Sequence, residues 1–172
     1  MNFTLADEAA EHAAAIESLV DTAFGPARKT RTVYQFRDGI PPATSLCYVA
    51  LSNDGDMLGS IRFWPVLMPN GRQGVMLGPL AVLPNLRGQG IGKALVSHGI
   101  AGTRAAGYGG VLIVGDRGYY APFGFREEKV ANLELPGSVA PLTFMGLEFE
   151  EGSLSGLQGM VLPFRETAER AV

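Results

Sequence analysis

Cysteine is nearly missing from this sequence: of its 172 residues only Cys47 carries a thiol. A lone cysteine makes no intramolecular disulfide. With just two histidines, His12 and His98, and no clustered partners for them, no metal site is expected either. Cys47 lies in the apolar run Ser45–Leu51, where a free thiol packs as a small hydrophobe. Charge is scarce as well. Asp, Glu, Lys and Arg make up 18%, with a net charge of −3 and a pI of about 5.4, whereas an ordinary domain holds roughly 25% charged residues. A nucleic-acid binder needs a local excess of Lys and Arg to displace counterions from phosphates. The nearest approach is Arg28, Lys29, Arg31 and Arg37, flanked by Asp21 and Asp38, and it reads as a solvated helix face or loop. Nucleic acid is therefore not expected as a partner. No stretch reaches 18 uninterrupted apolar residues, the length that would suggest a membrane-spanning helix. The first residues include Asp7, Glu8 and Glu11 and no basic run of the kind that opens an export signal. No membrane partner and a reducing, cytoplasmic setting are the expectations.

What is abundant is glycine, 23 residues, within a chain that is 47% hydrophobic. Such a balance argues for a packed globule with many tight turns or close backbone approaches. A chain of this length buries roughly 70% of its unfolded surface, enough for a core without staples. There are no repeats and no linker, so one domain over 1–172 is expected, with a core of about 2–150 and a tail, 151–172, packed on it.

Along the chain, Asn2–Leu5 reads as a short strand. Asp7 is a candidate cap for a helix whose apolar stripe is Ile16, Leu19, Val20 and Phe24 and which Gly25-Pro26 ends. A weaker helix is expected over Thr30–Phe36. Three strands then form an antiparallel meander, Leu46–Leu51, Met57–Val66 and Gly74–Val82, with turns at Asn53–Asp56 and Pro69–Gly71. Pro79 interrupts the third; lacking an N–H, it marks an edge, a bulge or a place where two strands part. A helix from the glycine run at 88–92 to about Ala106 follows. Val111–Val114 reads as a strand buried on both faces. Asp116 can cap a short helix through Tyr119-Tyr120, Phe125 starts another strand, and Leu142–Phe149 is the last strand before a glycine-rich, loop-like tail.

The glycine run, Arg87-Gly88-Gln89-Gly90-Ile91-Gly92, stands where a strand hands over to a helix. Glycines let a ligand approach the main chain, while the helix start presents unpaired amides and the positive end of its dipole. Together these make an anion site, with phosphate as the usual occupant. A dinucleotide fingerprint fails, because the third glycine's place holds Lys93 or Leu95 depending on the frame. A Walker loop fails because Arg87 and Ala94 stand where Gly and Ser or Thr are required.

What remains is Arg87-x-x-Gly90-x-Gly92, which resembles the acetyl-coenzyme A loop of the GCN5-related N-acetyltransferases (GNAT). The resemblance extends to Leu77-Gly78-Pro79-Leu80-Ala81-Val82, to Tyr120-Ala121-Pro122-Phe123-Gly124-Phe125, and to the order of elements over about 2–150. Leu77–Val82 and the longer phrase Gly115-Asp116-x-x-Tyr119-Tyr120-x-x-Phe123-Gly124-Phe125 are similar to those of the family's YhbS-type branch. It implies a three-layer α/β fold in which a mixed, mostly antiparallel sheet, flanked by helices, has splayed fourth and fifth strands. It further implies acetyl-coenzyme A as cosubstrate: pantetheine on Leu80, Ala81 and Val82, and the pyrophosphate on the amides from Gly88 to Gly92, including Gln89, Gly90 and Ile91. Arg87 would add charge, and Lys93, Tyr120 and Phe123 complete the cofactor set. By the same resemblance, Tyr120 is the general acid for the leaving thiolate, with Tyr119 the adjacent alternative, and an amide of Leu80 or Ala81 stabilises the oxyanion.

One departure stands out. Many relatives carry a glutamate on the fourth strand, whereas here Val75–Leu80 contains no carboxylate. An amine of pKa about 10.4 is neutral in roughly one molecule per 2,500 at pH 7, and one near 8 about a tenth of the time. The expectation is an acceptor amine of low pKa, or a base from elsewhere such as Asp116 or Glu148. The implied function is transfer of acetyl to a primary amine of a small molecule or peptide by direct attack in a ternary complex, in a monomer or homodimer. The alternative is a non-catalytic module that binds acyl-coenzyme A. His98, close to the buried stripe of the central helix, is expected as a helix side chain, and Phe24, Phe36 and Trp64 as core or acceptor-pocket aromatics.

Overall fold

The structure, a computed structural model, describes residues 2–165. Strand β1 (Thr4–Asp7) leads through a 3-10 turn into α1 (Ala13–Phe24). Two further 3-10 segments, Pro26–Thr30 and Thr32–Phe36, precede the meander of β2 (Tyr48–Leu51), β3 (Met57–Leu67) and β4 (Gln73–Val82). Then come α2 (Ile91–Ala105), β5 (Gly110–Val114), the short α3 (Arg117–Tyr120), β6 (Leu133–Glu134), β7 (Phe144–Glu148), β8 (Gly159–Met160) and β9 (Leu162–Pro163). The main sheet runs β1-β2-β3-β4-β5-β7, with β9 added along the end of β3 through Val66↔Pro163 and Leu67↔Leu162. Every neighbour in it is antiparallel except β4 and β5. The expected mixed, mostly antiparallel α/β architecture is present.

Side chains alternate across a strand, and the core divides accordingly. On one face Tyr48, Ala50, Ile61, Phe63, Val75 and Leu77 pack with Ile91, Leu95 and Val96 of α2. On the other, Val49 and Ala81 meet Ile16, Leu19 and Val20 of α1, while Val66, Met76 and Leu112 meet Phe36. Fully burying a side chain such as Phe36 or Phe63 is worth roughly 1.5–3 kcal/mol, so α1, the 3-10 segment carrying Phe36, and α2 are all held by the sheet.

Several local expectations are corrected. Asp7 does not cap a helix: it closes β1, paired with Tyr48. The chain enters its first helical turn at Ala9, whose amide donates to Nδ1 of His12 (2.9 Å). Thr30–Phe36 is not an α-helix, because sheet contacts at Phe36 and the bend at Arg31 (φ −72°, ψ 148°) split it into 3-10 pieces. Phe125 starts no strand: a single bridge, Arg126↔Gly146, is followed directly by a 3-10 turn over Glu127–Val130. The last long strand is Phe144–Glu148, shorter than expected, since Leu142 before it takes a positive φ of 64°. Within the expected tail, Leu154 and Val161 are buried against Phe36 and Val66, and residues 159–163 supply β8 and β9. The final part of that tail, 166–172, lies outside the described residues.

Candidate active site

Strands β4 and β5 run parallel for only two paired positions, Met76↔Leu112 and Leu77↔Ile113. Past Leu77 the strand continues to Val82 bonded to β3 alone, through Ile61↔Leu80, Ser60↔Ala81 and Gly59↔Val82. Gly78 and Pro79 sit at the fork, opposite Arg62, where the register with β3 shifts between Ile61 and Phe63. Proline has no N–H to give to a ladder, so the sequence places its break where the strands separate. Among the described residues, the β5-facing main chain of Leu80–Val82 is thereby left without a strand partner.

The fork opens into a cavity of about 590 Å³. One end is the glycine loop. Gly88 and Gly90 take φ of 82° and 88°, and Gly90 is the left-handed cap from which α2 starts. A side chain is disfavoured in that conformation. The first intrahelical bond at this end runs from the Ala94 amide to the Gly90 carbonyl, 3.0 Å. The amides of Ile91, Gly92 and Lys93 therefore come before the helix's own ladder, with the positive end of its dipole behind them.

The far wall is β5 and α3. Asp116 caps α3, its carboxylate accepting the Tyr119 amide at 2.8 Å, so Tyr119 and Tyr120 are held in fixed orientation at the cavity. Their rings meet edge to face with centroids 4.9 Å apart, and Tyr120 also meets Phe125 at 5.9 Å. Burial, then the neighbouring Tyr119 and Asp116, pushes the Tyr120 hydroxyl well above the ordinary tyrosine value; burial also raises Tyr119. Both hydroxyls stay protonated through the neutral range.

Of the residues expected at the site, the cavity gathers Leu80, Ala81, Val82, Arg87, Gly88, Ile91, Gly92, Asp116 and Tyr120, together with Tyr119. Gln89, Gly90 and Lys93 are exposed on the loop and first helical turn outside its lining. Phe123 packs behind the tyrosines, 5.8 Å from the Tyr119 ring and 6.4 Å from that of Tyr120. Phe24 lines the cavity, Phe36 is core, and Trp64 is buried beneath Arg37. His98 is a helix side chain set edge-on against Tyr48 at 4.5 Å. Cys47 is buried, and that burial raises its thiol to about 11.

Glu148, offered as a base from elsewhere, is not at the fork. It pairs with Gly110 at the opposite end of β5 from the fork, and its side chain is only 5% exposed. It accepts from the amides of Leu154 (3.0 Å) and Ser155 (2.8 Å) and from the Ser155 hydroxyl, and pairs with Lys129 at 3.2 Å. Burial works to raise the carboxyl, but these donors outweigh it and hold the group at about 2.

The arginines are the residues that sequence reasoning misplaced. Arg28, Arg31 and Arg37 line the cavity rather than forming a solvated face; only their partner in that run, Lys29, is an exposed residue outside it. No periodicity signals this, because the segment is a chain of 3-10 turns bent back over the sheet. Among the described residues, no group of three or more His, Cys, Asp or Glu is arranged to hold a metal, and no helix is long and apolar enough to cross a membrane.

The fork between β4 and β5 thus opens onto the glycine-capped start of α2. The chain belongs to the acetyltransferase (GNAT) family, whose model matches residues 13–125. It is 31% identical over 152 residues to the uncharacterized N-acetyltransferase YhbS of Escherichia coli K12, spanning 85% of this chain and 87% of that protein. Among solved structures, YhbS from Escherichia coli in complex with CoA superposes with a TM-score of 0.77 at 28% identity, over 94% of this chain and 89% of that one. A GNAT family acetyltransferase from Brucella melitensis in complex with acetyl-CoA matches with a TM-score of 0.69 at 31% identity, over 96% and 97%.

Proposed function

We propose that this protein is an N-acetyltransferase that moves an acetyl group from acetyl-coenzyme A to a primary amine by direct attack within a ternary complex. The observation that carries the reading is the fork itself: β4–β5 pairing ends at Leu77↔Ile113, directly beside a helix start with free amides. The residues present suit the cosubstrate. The loop 87–92 offers main-chain donors and the Arg87 charge to a pyrophosphate, and the unpaired edge of Leu80–Val82 offers a strand-like partner to the amides of pantetheine. The relatives crystallised with CoA and acetyl-CoA support the same assignment.

Acetyl-coenzyme A supplies the activated thioester. As the amine nitrogen bonds to the acyl carbon, the carbon–sulfur bond breaks, the nitrogen gives up a proton and the sulfur gains one. The amides of Leu80 and Ala81 are the groups to hold the charge that grows on the acyl oxygen, since donors fixed in place need no reorganisation. Tyr120, protonated at neutral pH and locked by the Asp116 cap, is the donor for the sulfur. Asp116 remains the carboxylate within the cavity; with its cap already made, it acts on the tyrosines' orientation.

The test is thiol release from acetyl-coenzyme A across a panel of primary amines. Release above the hydrolysis background for at least one amine is expected. Tight coenzyme A binding with no release for any amine would instead favour a non-catalytic acyl-coenzyme A-binding module, the reading that the carboxylate-free fourth strand keeps in play.

A further inference from the structure

Among the described residues, four arginines, Arg28, Arg31, Arg37 and Arg87, face this cavity against a single acid, Asp116. They are not equivalent. Arg87 belongs to the glycine loop. Arg28 is already engaged, with 2.8 Å bonds to both Glu17 and Asp21. Arg37 has no ion pair among the described residues and lies at the fork: a Cβ built on Gly78 would be 2.8 Å from one of its terminal nitrogens. Only a glycine at 78 leaves that space. The guanidinium lies over the Trp64 ring, 6.0 Å from its centroid, and the indole N–H of Trp64 is itself buried with no acceptor among the described residues. Burial and the neighbouring charges of Arg28, Arg31 and Arg62 push Arg37 down to about 10, still fully charged at neutral pH. Arg31, also without an ion pair among the described residues, stands on the exposed side of the same wall, 5.7 Å from the Phe24 ring.

A half-buried cation surrounded by like charges is unfavourable unless something on that wall is negative. The cosubstrate's phosphates are accounted for at the opposite end, on loop 87–92. Building on the acetyltransferase reading, we propose that the acceptor is an amine that also carries a carboxylate, and that Arg37, assisted by Arg31, binds it beside Gly78. The planar fork of a guanidinium matches the two oxygens of a carboxylate. The acceptor's amine then sits near the point where β4 leaves β5. There the unpaired Arg31 and Arg37 also favour its neutral form, since like charges disfavour an ammonium. That bears directly on a fourth strand without a carboxylate base.

Trp64 is the only tryptophan and reports on Arg37 directly. The experiment uses the full chain saturated with coenzyme A, so that the loop is blocked, and titrates N-acetylglycine, a carboxylate-bearing product mimic, while following tryptophan emission. A saturable change is expected with N-acetylglycine and none with N-acetylglycinamide. In Arg37→Gln the response is lost, and in Arg37→Lys it weakens at least tenfold, with thermal melts and coenzyme A affinity confirming that both variants fold. O-Phosphoethanolamine serves as the phosphate arm, and a response to it larger than to the carboxylate overturns the assignment of the anion. In turnover, glycine or β-alanine should exceed glycinamide by tenfold or more in kcat/KM, a preference that Arg37→Gln erases through KM. Equal emission responses to acid and amide, or an Arg37→Gln response like wild type, would overturn the proposal. Failure of thiol release with every amine would sink the enzyme reading alone, because the emission titration does not depend on turnover.

Discussion

The hydroxyl of Tyr119 stands against Gly92: a Cβ built on that glycine would lie 2.6 Å from the oxygen, with Val82 and Leu80 methyls 3.7 and 3.8 Å away. The first turn of α2, the edge of β4 and the end of α3 therefore meet at one point of the cavity wall. Residues 82, 92 and 119 are far apart in sequence, and no property of any one of them announces the contact.

This junction gives an unusual prediction for Gly92→Ala. Alanine in place of glycine favours a helix by roughly 0.5–1 kcal/mol, so thermal stability should hold or rise slightly. The new methyl displaces the Tyr119 hydroxyl and narrows the space beside Leu80, so coenzyme A affinity should fall about tenfold, a loss of ~1.4 kcal/mol. Tyr119→Phe removes the obstructing oxygen, and in the double variant part of the affinity should return. Additive losses in calorimetric titrations would show that the two residues act separately.

Gly90→Glu should abolish coenzyme A binding. A non-glycine residue is disfavoured at φ 88°, and the carboxylate would bring a negative charge to the place proposed for the pyrophosphate. Near-wild-type affinity in this variant would remove the anion site from the loop.

Tyr120→Phe should lower kcat about 10²-fold, within the usual range for a lost general acid, while the Kd of coenzyme A stays within twofold. Tyr119→Phe should change kcat much less. The reverse ranking, measured under saturating acetyl-coenzyme A, would hand the acid role to Tyr119 and return Tyr120 to packing on Phe125 and Gly115.

Glu148 supports a stability prediction unrelated to catalysis. Its carboxyl is held at about 2 in the folded protein, below the ordinary unfolded value of about 4.3. A depressed acid contributes stability above its unfolded pKa and loses it as pH falls toward the folded one. Wild type should therefore lose this share between about pH 4.5 and 2. Glu148→Gln should be less stable by ~2 kcal/mol at pH 7, the scale of charge-assisted hydrogen bonds in a buried place, and should show a flatter decline over that interval. Urea midpoints at several pH values give both numbers; parallel declines for the two proteins would discount the Glu148 contacts.

Much of this molecule is local in origin. The glycines at 88 and 90, Pro79 and the Asp116 cap each act through their own backbone: a positive φ, a missing N–H, or a carboxylate three residues from the amide it meets. Such features are visible in the sequence because their physics spans a few residues, and they placed the loop, the fork and the tyrosine helix. Alternation and helical spacing likewise set the meander and α2. Asp7 and Phe125 show the limit of the same reasoning. A capping residue can equally close a strand once Tyr48 pairs with it, and an aromatic can be core without a ladder around it.

The chemistry of the opposite wall came from the folded chain alone. Arg28, Arg31 and Arg37 read as a solvated face, because a run of 3-10 turns has no fixed period to say which way its side chains point. Packing of Phe36 beneath Val66 and Met76 turns that segment over the sheet and brings Arg37 to Gly78, some forty positions away in the chain. Glu148 likewise became an anchor only when Leu154 and Ser155 returned to it. Where the main chain would be bare and where two strands would part could be read from the residues alone, since those are backbone properties written one position at a time. Which charges face that opening was decided by tertiary packing, because a side chain's partners are chosen by whatever the rest of the chain folds against it.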